Sequence, residues 1–182
     1  MGQVFSSFWL YWFPNKEYKL VMVGLDNAGK TTALFKLHLG EAITTQPTIG
    51  SNVEQVEFKN LTFEVWDLGG QASLRPSWAS YYKATDAIIL VLDSTDRARV
   101  RIAKGELQSI LGHEDLRTIG ILILANKQDL KDAMSVEEMS TALALTDIRD
   151  HPWHIQPCCA LSGEGLFDGM EWIAQRVNQL RT

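Results

Sequence analysis

Apolar runs and amphipathic stretches alternate along most of the chain. A short apolar run at 18–24, rich in β-forming residues and ending in Gly, predicts a first strand, and continuous apolar runs at 86–93 and 119–127 are typical of strands buried on both faces of a parallel sheet. A last apolar run predicts a strand at 153–160, and residues 52–67 alternate around the turn pair Lys59-Asn60, which predicts a two-stranded hairpin. Stretches of helical periodicity or helical length separate or follow these strands, at 27–40, 96–111, 135–145 and 165–180. The pattern therefore predicts a three-layer α/β domain with a mostly parallel six-stranded sheet and one antiparallel hairpin.

The first fifteen residues stand outside this alternation. Residues 4–13 hold six of the chain's seventeen aromatic residues. On a helix, nearly all apolar side chains of this stretch fall on one broad face, opposite Gln3, Ser6 and Ser7. We therefore predict an amphipathic helix over 3–13. A terminal helix packed permanently on the domain would have the same pattern.

The chain also begins with a lipidation pattern. Met1-Gly2-Gln3-Val4-Phe5-Ser6 fits M-G-x-x-x-[ST], which predicts N-myristoylation of Gly2. One myristoyl chain gives only marginal membrane binding, about 10⁴ M⁻¹, so a second signal is needed. Interfacial aromatic residues can supply it, because Trp and Tyr favour the headgroup region.

Composition and charge exclude several classes of protein. The 182 residues suit one domain, which we place at 16–182 behind the helical segment 1–15. A net charge of −5 without a basic cluster argues against a nucleic-acid partner. No apolar run approaches the roughly 20 residues that span a bilayer, and no basic region or cleavage site flanks the aromatic stretch as in a signal peptide. The adjacent Cys158 and Cys159 fit buried packing in a reducing compartment better than a disulfide or zinc site.

A phosphate-binding loop follows the first predicted strand. Residues 24–31 are GLDNAGKT, which matches G-x-x-x-x-G-K-[ST] in the strand–loop–helix context that the motif requires. Its backbone N–H groups and helix N-terminus favour phosphate, Lys30 is placed to reach the β- and γ-phosphates, and the Thr31 hydroxyl to bind Mg²⁺. A glycine-rich turn with a stray lysine is the alternative, which the context disfavours. The residues predicted to bind nucleotide here are Asp26, Asn27, Ala28, Gly29, Lys30, Thr31 and Thr32.

Two later loops predict recognition of guanine. In the letters ANKQD, the Asp129 carboxylate can accept the N1–H and the exocyclic amine that guanine, unlike adenine, offers as a pair. Asn126 can hold the loop and the base edge, and the aliphatic stem of Lys127 can cover the base plane. Cys159 and Ala160 form the expected third wall, where the backbone N–H of Ala160 would donate to guanine O6.

Two glycine-bearing polar loops predict sensing of the γ-phosphate. WDLGGQ places Asp67 as a carboxylate behind the Mg²⁺ ligands, Gly70 as a backbone donor to the γ-phosphate and Gln71 as the residue that orients the attacking water. PTIGSN offers Thr48, whose hydroxyl would complete the Mg²⁺ shell. We predict Gln71 and Lys30 as catalytic residues, on loops that order on triphosphate and relax after hydrolysis.

Taken together, the motifs resemble the Arf/Arl family of small GTPases, within the Ras superfamily. GLDNAGKTT, PTIGSNVE, WDLGGQ, SWASYY, VLDSTDR, ANKQD and SGEGLFDGMEW carry the resemblance across essentially the whole chain. TIGSNVE, LRPSW and DHPWHIQPCCALSGEGL are most similar to the fifth Arf-like subgroup. The resemblance implies the small G protein type of P-loop NTPase fold, GTP or GDP with Mg²⁺ as cofactors, and slow intrinsic hydrolysis.

The resemblance also implies partners and a switching mechanism. An exchange factor, a GTPase-activating protein and effectors would bind the switch loops and hairpin at 47–82. The protein would be a cytoplasmic monomer, reversibly bound to membranes such as the Golgi. With GDP bound, the N-terminal helix would lie in a groove, and with GTP bound the hairpin would slide along the sheet by two residues, roughly 7 Å, and expel it.

Three residues bear on how far the family's properties carry over. Ser51 stands where Arf proteins proper carry Phe, beside Trp66 and near Tyr81, and an aromatic cluster of that kind is the family's effector surface, so binding of standard Arf effectors is in doubt. Asp26, as is usual in the family, puts a carboxylate near the expected γ-phosphate, where many other small GTPases have Gly. Arg75 is a weak candidate for an arginine finger supplied in cis.

These features predict a GTP-hydrolysing molecular switch that recruits effectors to membranes in vesicle and Golgi trafficking. A P-loop kinase or ATPase is disfavoured by the guanine-type loop and by the lack of a recognisable acceptor domain. A GTP-binding recruitment module with negligible turnover stays open because of Asp26.

Overall fold

The computed structural model describes residues 16–41 and 45–180. Gly2 and the amphipathic helix predicted over 3–13 lie outside the described residues, so both stay predictions. None of the helices in the described ranges has the length and apolar character needed to cross a bilayer.

Six strands form one sheet in the order β2-β3-β1-β4-β5-β6. Their bounds are β1 (Lys16–Val23), β2 (Ser51–Phe58), β3 (Leu61–Leu68), β4 (Ala87–Asp93), β5 (Gly120–Asn126) and β6 (Trp153–Pro157). The hairpin partners β2 and β3 are antiparallel, and the other neighbouring strands are parallel. The predicted fold class is confirmed.

Helices cover the two faces of this sheet. The α-helices in the described part of the chain are α1 (Lys30–Leu39), α2 (Val100–Leu111), α3 (Val136–Leu143) and α4 (Leu166–Leu180). Short 3₁₀ helices lie at Arg75–Tyr81, Glu114–Leu116 and Leu145–Asp147.

The alternation of side chains along β1 explains the three layers. Leu20 and Met22 belong to one buried cluster, which includes side chains of α1 and α4. Val21 and Val23 belong to a second cluster, which includes side chains of α2 and α3. Since successive side chains of a strand point to opposite faces, both faces of the central strands are covered, and their buried stretches are apolar.

The hairpin lies at the edge of the sheet and its tip contacts α4. Val56 is the one fully buried residue of β2, so this strand keeps an alternating sequence. Lys59 adopts a positive φ of 55° in the predicted turn and forms an ion pair with Glu171. The rings of Phe58 and Phe167 stack with centroids 6.1 Å apart.

Several element ends differ from the predicted ones, and three of the differences have a local cause in the structure. The strand predicted to Ala160 ends at Pro157, because the N–H of Cys159 turns away from the sheet to donate to Glu164 (2.9 Å). The helix predicted from residue 96 begins at Val100, since the Asp96 carboxylate accepts the N–H of Arg99 (3.1 Å) in a local turn that competes with helix. The helix predicted over 135–145 is interrupted at Ala144, which has a left-handed φ of 56°.

Candidate nucleotide-binding site

A cavity of about 360 Å³ lies at the carboxyl edge of the sheet, where ligands bind in open α/β folds. The predicted residues that line it are Asp26, Asn27, Gly29, Lys30, Thr31, Thr32, Thr48, Gly70, Gln71, Asn126, Lys127, Asp129, Cys159 and Ala160. Ala28 and Asp67 were also predicted but lie just behind this lining. Thr45, Gln46, Pro47, Leu130 and Leu161 line the cavity without having been predicted.

The phosphate loop joins β1 to α1 and needs glycine at its last position. Gly29 has a φ of 94°, and a Cβ there would lie 2.3 Å from Nδ2 of Asn126. Ala28 is buried, and its N–H donates to the Leu25 carbonyl (3.3 Å). The prediction that Ala28 binds nucleotide stays a prediction.

Lys30 begins α1 with its ammonium group buried at the floor of the cavity. The residue is 6% exposed, and Nζ donates to the Leu25 carbonyl at 3.0 Å. Burial lowers the pKa of Lys30, an effect that the nearby carboxylates of Asp67 and Asp26 oppose. A phosphate group at this place would favour the charged form of the ammonium group and so oppose the effect of burial on its pKa.

Two threonine hydroxyls and one carboxylate converge beside the phosphate loop. The Thr31 hydroxyl donates to Oδ2 of Asp67 at 2.5 Å and lies 2.8 Å from Oγ1 of Thr48. The Thr48 hydroxyl lies 3.4 Å from the same Asp67 oxygen. The three residues come from α1, from the loop before β2 and from β3, so only the fold brings them together.

This donor set fits Mg²⁺. Asp67 is fully buried, and its Oδ1 atom has no hydrogen-bond partner among the described residues. Burial raises the pKa of Asp67, while the hydrogen bond from Thr31 and the charge of Lys30 act in the opposite direction. Within the described ranges, no group of three or more His, Cys, Asp or Glu side chains is placed to hold a metal ion. Mg²⁺ usually takes its remaining ligands from waters and substrate phosphates.

The segment after β3 is held against the phosphate loop. The Gly70 carbonyl accepts the N–H of Asp26 at 3.2 Å and Nε of Arg75 at 2.9 Å. A Cβ on Gly70 would come within 2.4 Å of the Gly24 carbonyl oxygen, so this close approach requires glycine. Gln71 is exposed at the cavity.

Arg75 has contacts that favour docking of this segment over a finger role. Its side chain is only 13% exposed, and its terminal nitrogens lie 3.7 Å from carboxylate oxygens of Asp26 and Glu106. Because Nε also donates to the Gly70 carbonyl, the guanidinium group is held by contacts within the protein.

The predicted base-reading residues also hold the site together. Asn126 donates through Nδ2 to the Ala28 carbonyl (2.9 Å) and accepts the N–H of Ala160 through Oδ1 (2.8 Å). The N–H that was predicted to bind guanine O6 is therefore engaged by Asn126, and a base would have to share it. Asp129 lines the cavity nearby.

Lys127 links the base-reading loop to two other parts of the chain. Its Nζ donates to the Asn27 carbonyl at 2.8 Å and to Oδ2 of Asp93 at 2.7 Å. Burial pushes the pKa of Asp93 upward, but hydrogen bonds from Lys127 and Thr95 outweigh it, and the pKa lies below its usual range. These contacts fix the lysine stem at the cavity wall, where it was predicted to cover a base.

One contact at the site was missed from the sequence. The Arg99 guanidinium binds the Asp26 carboxylate at 2.8 Å. The two residues are 73 positions apart, and no spacing rule connects a phosphate loop with the start of α2.

The predicted effector surface around Ser51 has an aromatic centre. The rings of Trp66 and Tyr81 lie 5.7 Å apart, and Nζ of Lys19 lies 5.4 Å from the Trp66 ring. Ser51 is exposed at the start of β2, close in sequence to the strongly exposed Ile49 (89%).

A phosphate loop after the first strand, opening on a polar cavity at the carboxyl edge of a mostly parallel sheet, defines a P-loop nucleotide-binding protein. The sequence profile of the ADP-ribosylation factor family matches residues 1–177. The chain belongs to this family of small GTPases.

Individual relatives agree with the family match. ADP-ribosylation factor-like protein 5A of Mus musculus is 54% identical over 177 residues, which cover 97% of this chain and 98% of the relative. ADP-ribosylation factor-like protein 5 of Dictyostelium discoideum is 54% identical over 176 residues, which cover 97% and 96%. The predicted similarity to the fifth Arf-like subgroup is therefore confirmed.

A solved structure has the same fold. The Arl6 BBS3 small GTPase from Trypanosoma brucei, with the bound nucleotide analogue GppNp, superposes with a TM-score of 0.84 at 35% identity. The match covers 90% of this chain and 99% of that one.

Proposed function

We propose that the protein is a molecular switch that binds GTP or GDP, hydrolyses GTP slowly, and recruits effectors to membranes while GTP is bound. Membership of a small GTPase family supports the nucleotide chemistry in general. The particular site residues, the membrane anchor and a role in vesicle and Golgi trafficking belong to the proposal.

The convergence of Thr31, Thr48 and Asp67 is the observation that carries it. Thr48 lies on the loop before β2, and its hydroxyl lies 2.8 Å from that of Thr31 on the phosphate-loop side. A loop of this kind can respond to a metal and a γ-phosphate, since their loss removes what its hydroxyl would bind. The arrangement fits a protein whose surface depends on the bound nucleotide.

The chain's own groups would act on the γ-phosphate from several sides. Lys30 and the phosphate-loop N–H groups would hold the β- and γ-phosphates, and the Gly70 N–H would donate to a γ-phosphate oxygen. Gln71 would orient a water for attack in line with the bond that breaks. Mg²⁺, held by Thr31 and Thr48 with Asp67 behind them, would neutralise charge on the phosphate oxygens.

Selection of guanine would depend on Asp129. Its carboxylate would accept both donors of the guanine edge, which adenine does not offer. Lys127 and Asn126, already fixed to Asn27 and Ala28, would hold the base against the phosphate loop.

The hairpin would couple the nucleotide to the membrane. In the described register, Asp67 reaches Thr31 while the hairpin tip contacts α4 through Lys59 and Phe58. We assign this register to the GTP-bound state. In the GDP-bound state the hairpin would withdraw by two residues and leave a groove for the myristoylated helix at 3–13.

Nucleotide competition and turnover test the proposal together. Excess GTP should displace labelled GDP from the full-length protein, whereas the same concentration of ATP should not. Gln71→Leu should keep nucleotide binding and lose hydrolysis, because leucine cannot orient water. Gln108→Leu, an exposed change on α2, is the matched control and should hydrolyse GTP like the wild type.

Other outcomes would contradict parts of the proposal. Displacement by ATP would indicate the kinase or ATPase class. Tight GTP binding with no turnover above the Gln71→Leu variant, even with an activating protein, would establish a recruitment module instead.

A further inference from the structure

The phosphate loop contains a negative charge where a phosphate ligand is expected. Asp26 lines the cavity together with Lys30 and Thr31, and its side chain is 42% exposed. A carboxylate at this position repels phosphate oxygens, and the repulsion grows with the charge of the nucleotide. The Asp26 charge would therefore oppose GTP binding more than GDP binding.

Arg99 binds this carboxylate from outside the cavity. Its Nη1 donates to Oδ1 of Asp26 at 2.8 Å, and Nη2 donates to the backbone carbonyl of the same residue at 3.0 Å. Two contacts from one guanidinium fix both the charge and the backbone of Asp26, which a single point charge would not do.

The guanidinium is itself held in place by Asp96. Nε of Arg99 donates to Oδ2 of Asp96 at 2.6 Å, and the other oxygen of that carboxylate accepts the Arg99 backbone N–H at 3.1 Å. The hydrogen bond to Asp96, together with the charge of Asp26, raises the pKa of Arg99 above its ordinary value although partial burial opposes this. The arginine is therefore a rigid cation, built into the turn that precedes α2.

Arg75 approaches the same carboxylate less closely. Its Nη2 lies 3.7 Å from Oδ1 of Asp26, compared with 2.8 Å for Arg99. Arg75 also belongs to the segment after Gln71, which we propose rearranges with the nucleotide. Arg99 lies outside both switch loops, so its hold on Asp26 does not depend on their state.

We propose that Arg99 is a positioning residue that holds the Asp26 carboxylate against α2 and neutralises it, and thereby sets the preference of the site for GTP relative to GDP. This inference rests on the proposed guanine-nucleotide switch. Without Arg99, the Asp26 charge would act on the γ-phosphate, which GDP lacks. Removal of Arg99 should therefore lower the affinity for GTP more than the affinity for GDP.

The test compares the dissociation constants of GDP and of a non-hydrolysable GTP analogue, measured by competition with fluorescent GDP on the full chain with Mg²⁺. Arg99→Ala should raise the ratio of the analogue constant to the GDP constant about tenfold, as expected for an uncompensated charge near a phosphate. Arg97→Ala removes the same charge two positions away. Because Arg97 is exposed and pairs with Glu138 on α3, that control should leave the ratio unchanged.

Removing the repelling charge should rescue the variant. In Asp26→Asn/Arg99→Ala the ratio should return to within about twofold of Asp26→Asn alone, because a neutral amide needs no counter-charge. Arg99→Lys, which keeps the charge but not the two-pronged contact, should give an intermediate ratio.

Two results would overturn the inference. One is an equal loss of affinity for both nucleotides in Arg99→Ala, and the other is a double variant whose ratio is no better than that of Arg99→Ala. Either result would mean that Arg99 only supports the structure of the loop. If Arg99→Ala does not fold, the ratio of dissociation constants measured for Arg99→Lys takes its place in the test. If the wild-type protein bound neither nucleotide, the proposed function would fail as well, so the two failures are distinguishable.

Discussion

At the scale of single residues, the groups around the cavity hold one another as well as a ligand. Asn126 was predicted to hold the base-reading loop and the base edge, and in the structure its amide donates to the Ala28 carbonyl of the phosphate loop. The sequence could not indicate that the same side chain occupies the Ala160 N–H, because backbone donors are assigned only once the loop after β6 is folded. The role of Arg99 was not predicted for a related reason, since its partner Asp26 is 73 positions away in the sequence and comes close only in the folded protein.

Replacement of Gly29 should damage this site through geometry alone. In Gly29→Ala the new Cβ meets the Asn126 amide in a backbone conformation that alanine rarely adopts. We expect guanine-nucleotide affinity to fall about 10- to 100-fold, from strain of order 1–3 kcal/mol. Isothermal titration with GDP measures this directly.

Gly105→Ala is the matched control for that substitution. Gly105 is exposed within α2, and a Cβ there meets none of the described atoms within 4 Å. The variant should bind GDP normally and gain about 0.5–1 kcal/mol of stability, since alanine favours helix. Equal GDP affinity in the two variants would refute the geometric argument.

Cys158 should be chemically inert in the folded protein. Burial raises the pKa of its thiol to about 12, so at pH 8 roughly one molecule in 10⁴ would hold the reactive thiolate. Iodoacetamide at pH 8 should leave Cys158 unmodified, as measured by peptide mass spectrometry. In guanidinium chloride the same residue should react fully, and fast reaction in the native protein would show that the strand end opens.

At the scale of helices and strands, hydrophobic periodicity predicted which elements form but not where each one ends. The buried strands β4 and β5 are apolar up to their last residues, Asp93 and Asn126, because helices cover both faces of the sheet. Ends such as Val100 and Pro157 depend on individual polar contacts that hydrophobic periodicity does not show. The hydrogen bond from the Arg99 N–H to the Asp96 carboxylate, just before Val100, is an example. Likewise, the turn at Lys59 was predictable, whereas its contact with Glu171 depends on how α4 crosses the sheet.

Weakening the contact between the hairpin tip and α4 should shift the nucleotide preference. Phe58→Ala removes the stacked ring opposite Phe167, a contact worth about 0.5–1.5 kcal/mol beyond its buried area. If the described register is the GTP-bound one, affinity for a GTP analogue should fall about three- to tenfold relative to GDP. Parallel titrations with both nucleotides measure the ratio.

Glu57→Ala, one position earlier on the exposed side of β2, is the control for this change and should keep the wild-type ratio. A ratio that is also unchanged in Phe58→Ala would mean that the tip contact does not distinguish the two states.

At the scale of the whole molecule, one sheet edge collects groups from distant parts of the sequence. The phosphate loop, Asp67 and Asn126 meet there because parallel strands end on the same side, and this was predictable since their motifs follow strands. Thr48 reaches the same edge because the antiparallel strand β2 begins there. The proposed relation between the cavity and the membrane comes from the family resemblance and stays a prediction, because residues 1–15 lie outside the described part of the chain.

The central claim is that the bound nucleotide controls recruitment to membranes, and liposome flotation tests it most directly. Full-length protein, myristoylated on Gly2, would be loaded in parallel with GDP and with a non-hydrolysable GTP analogue, with Gly2→Ala as the unacylated control. We predict that only the acylated, analogue-loaded protein floats with the liposomes. Equal flotation of both loaded forms, or of neither, would contradict nucleotide-controlled release of the anchor.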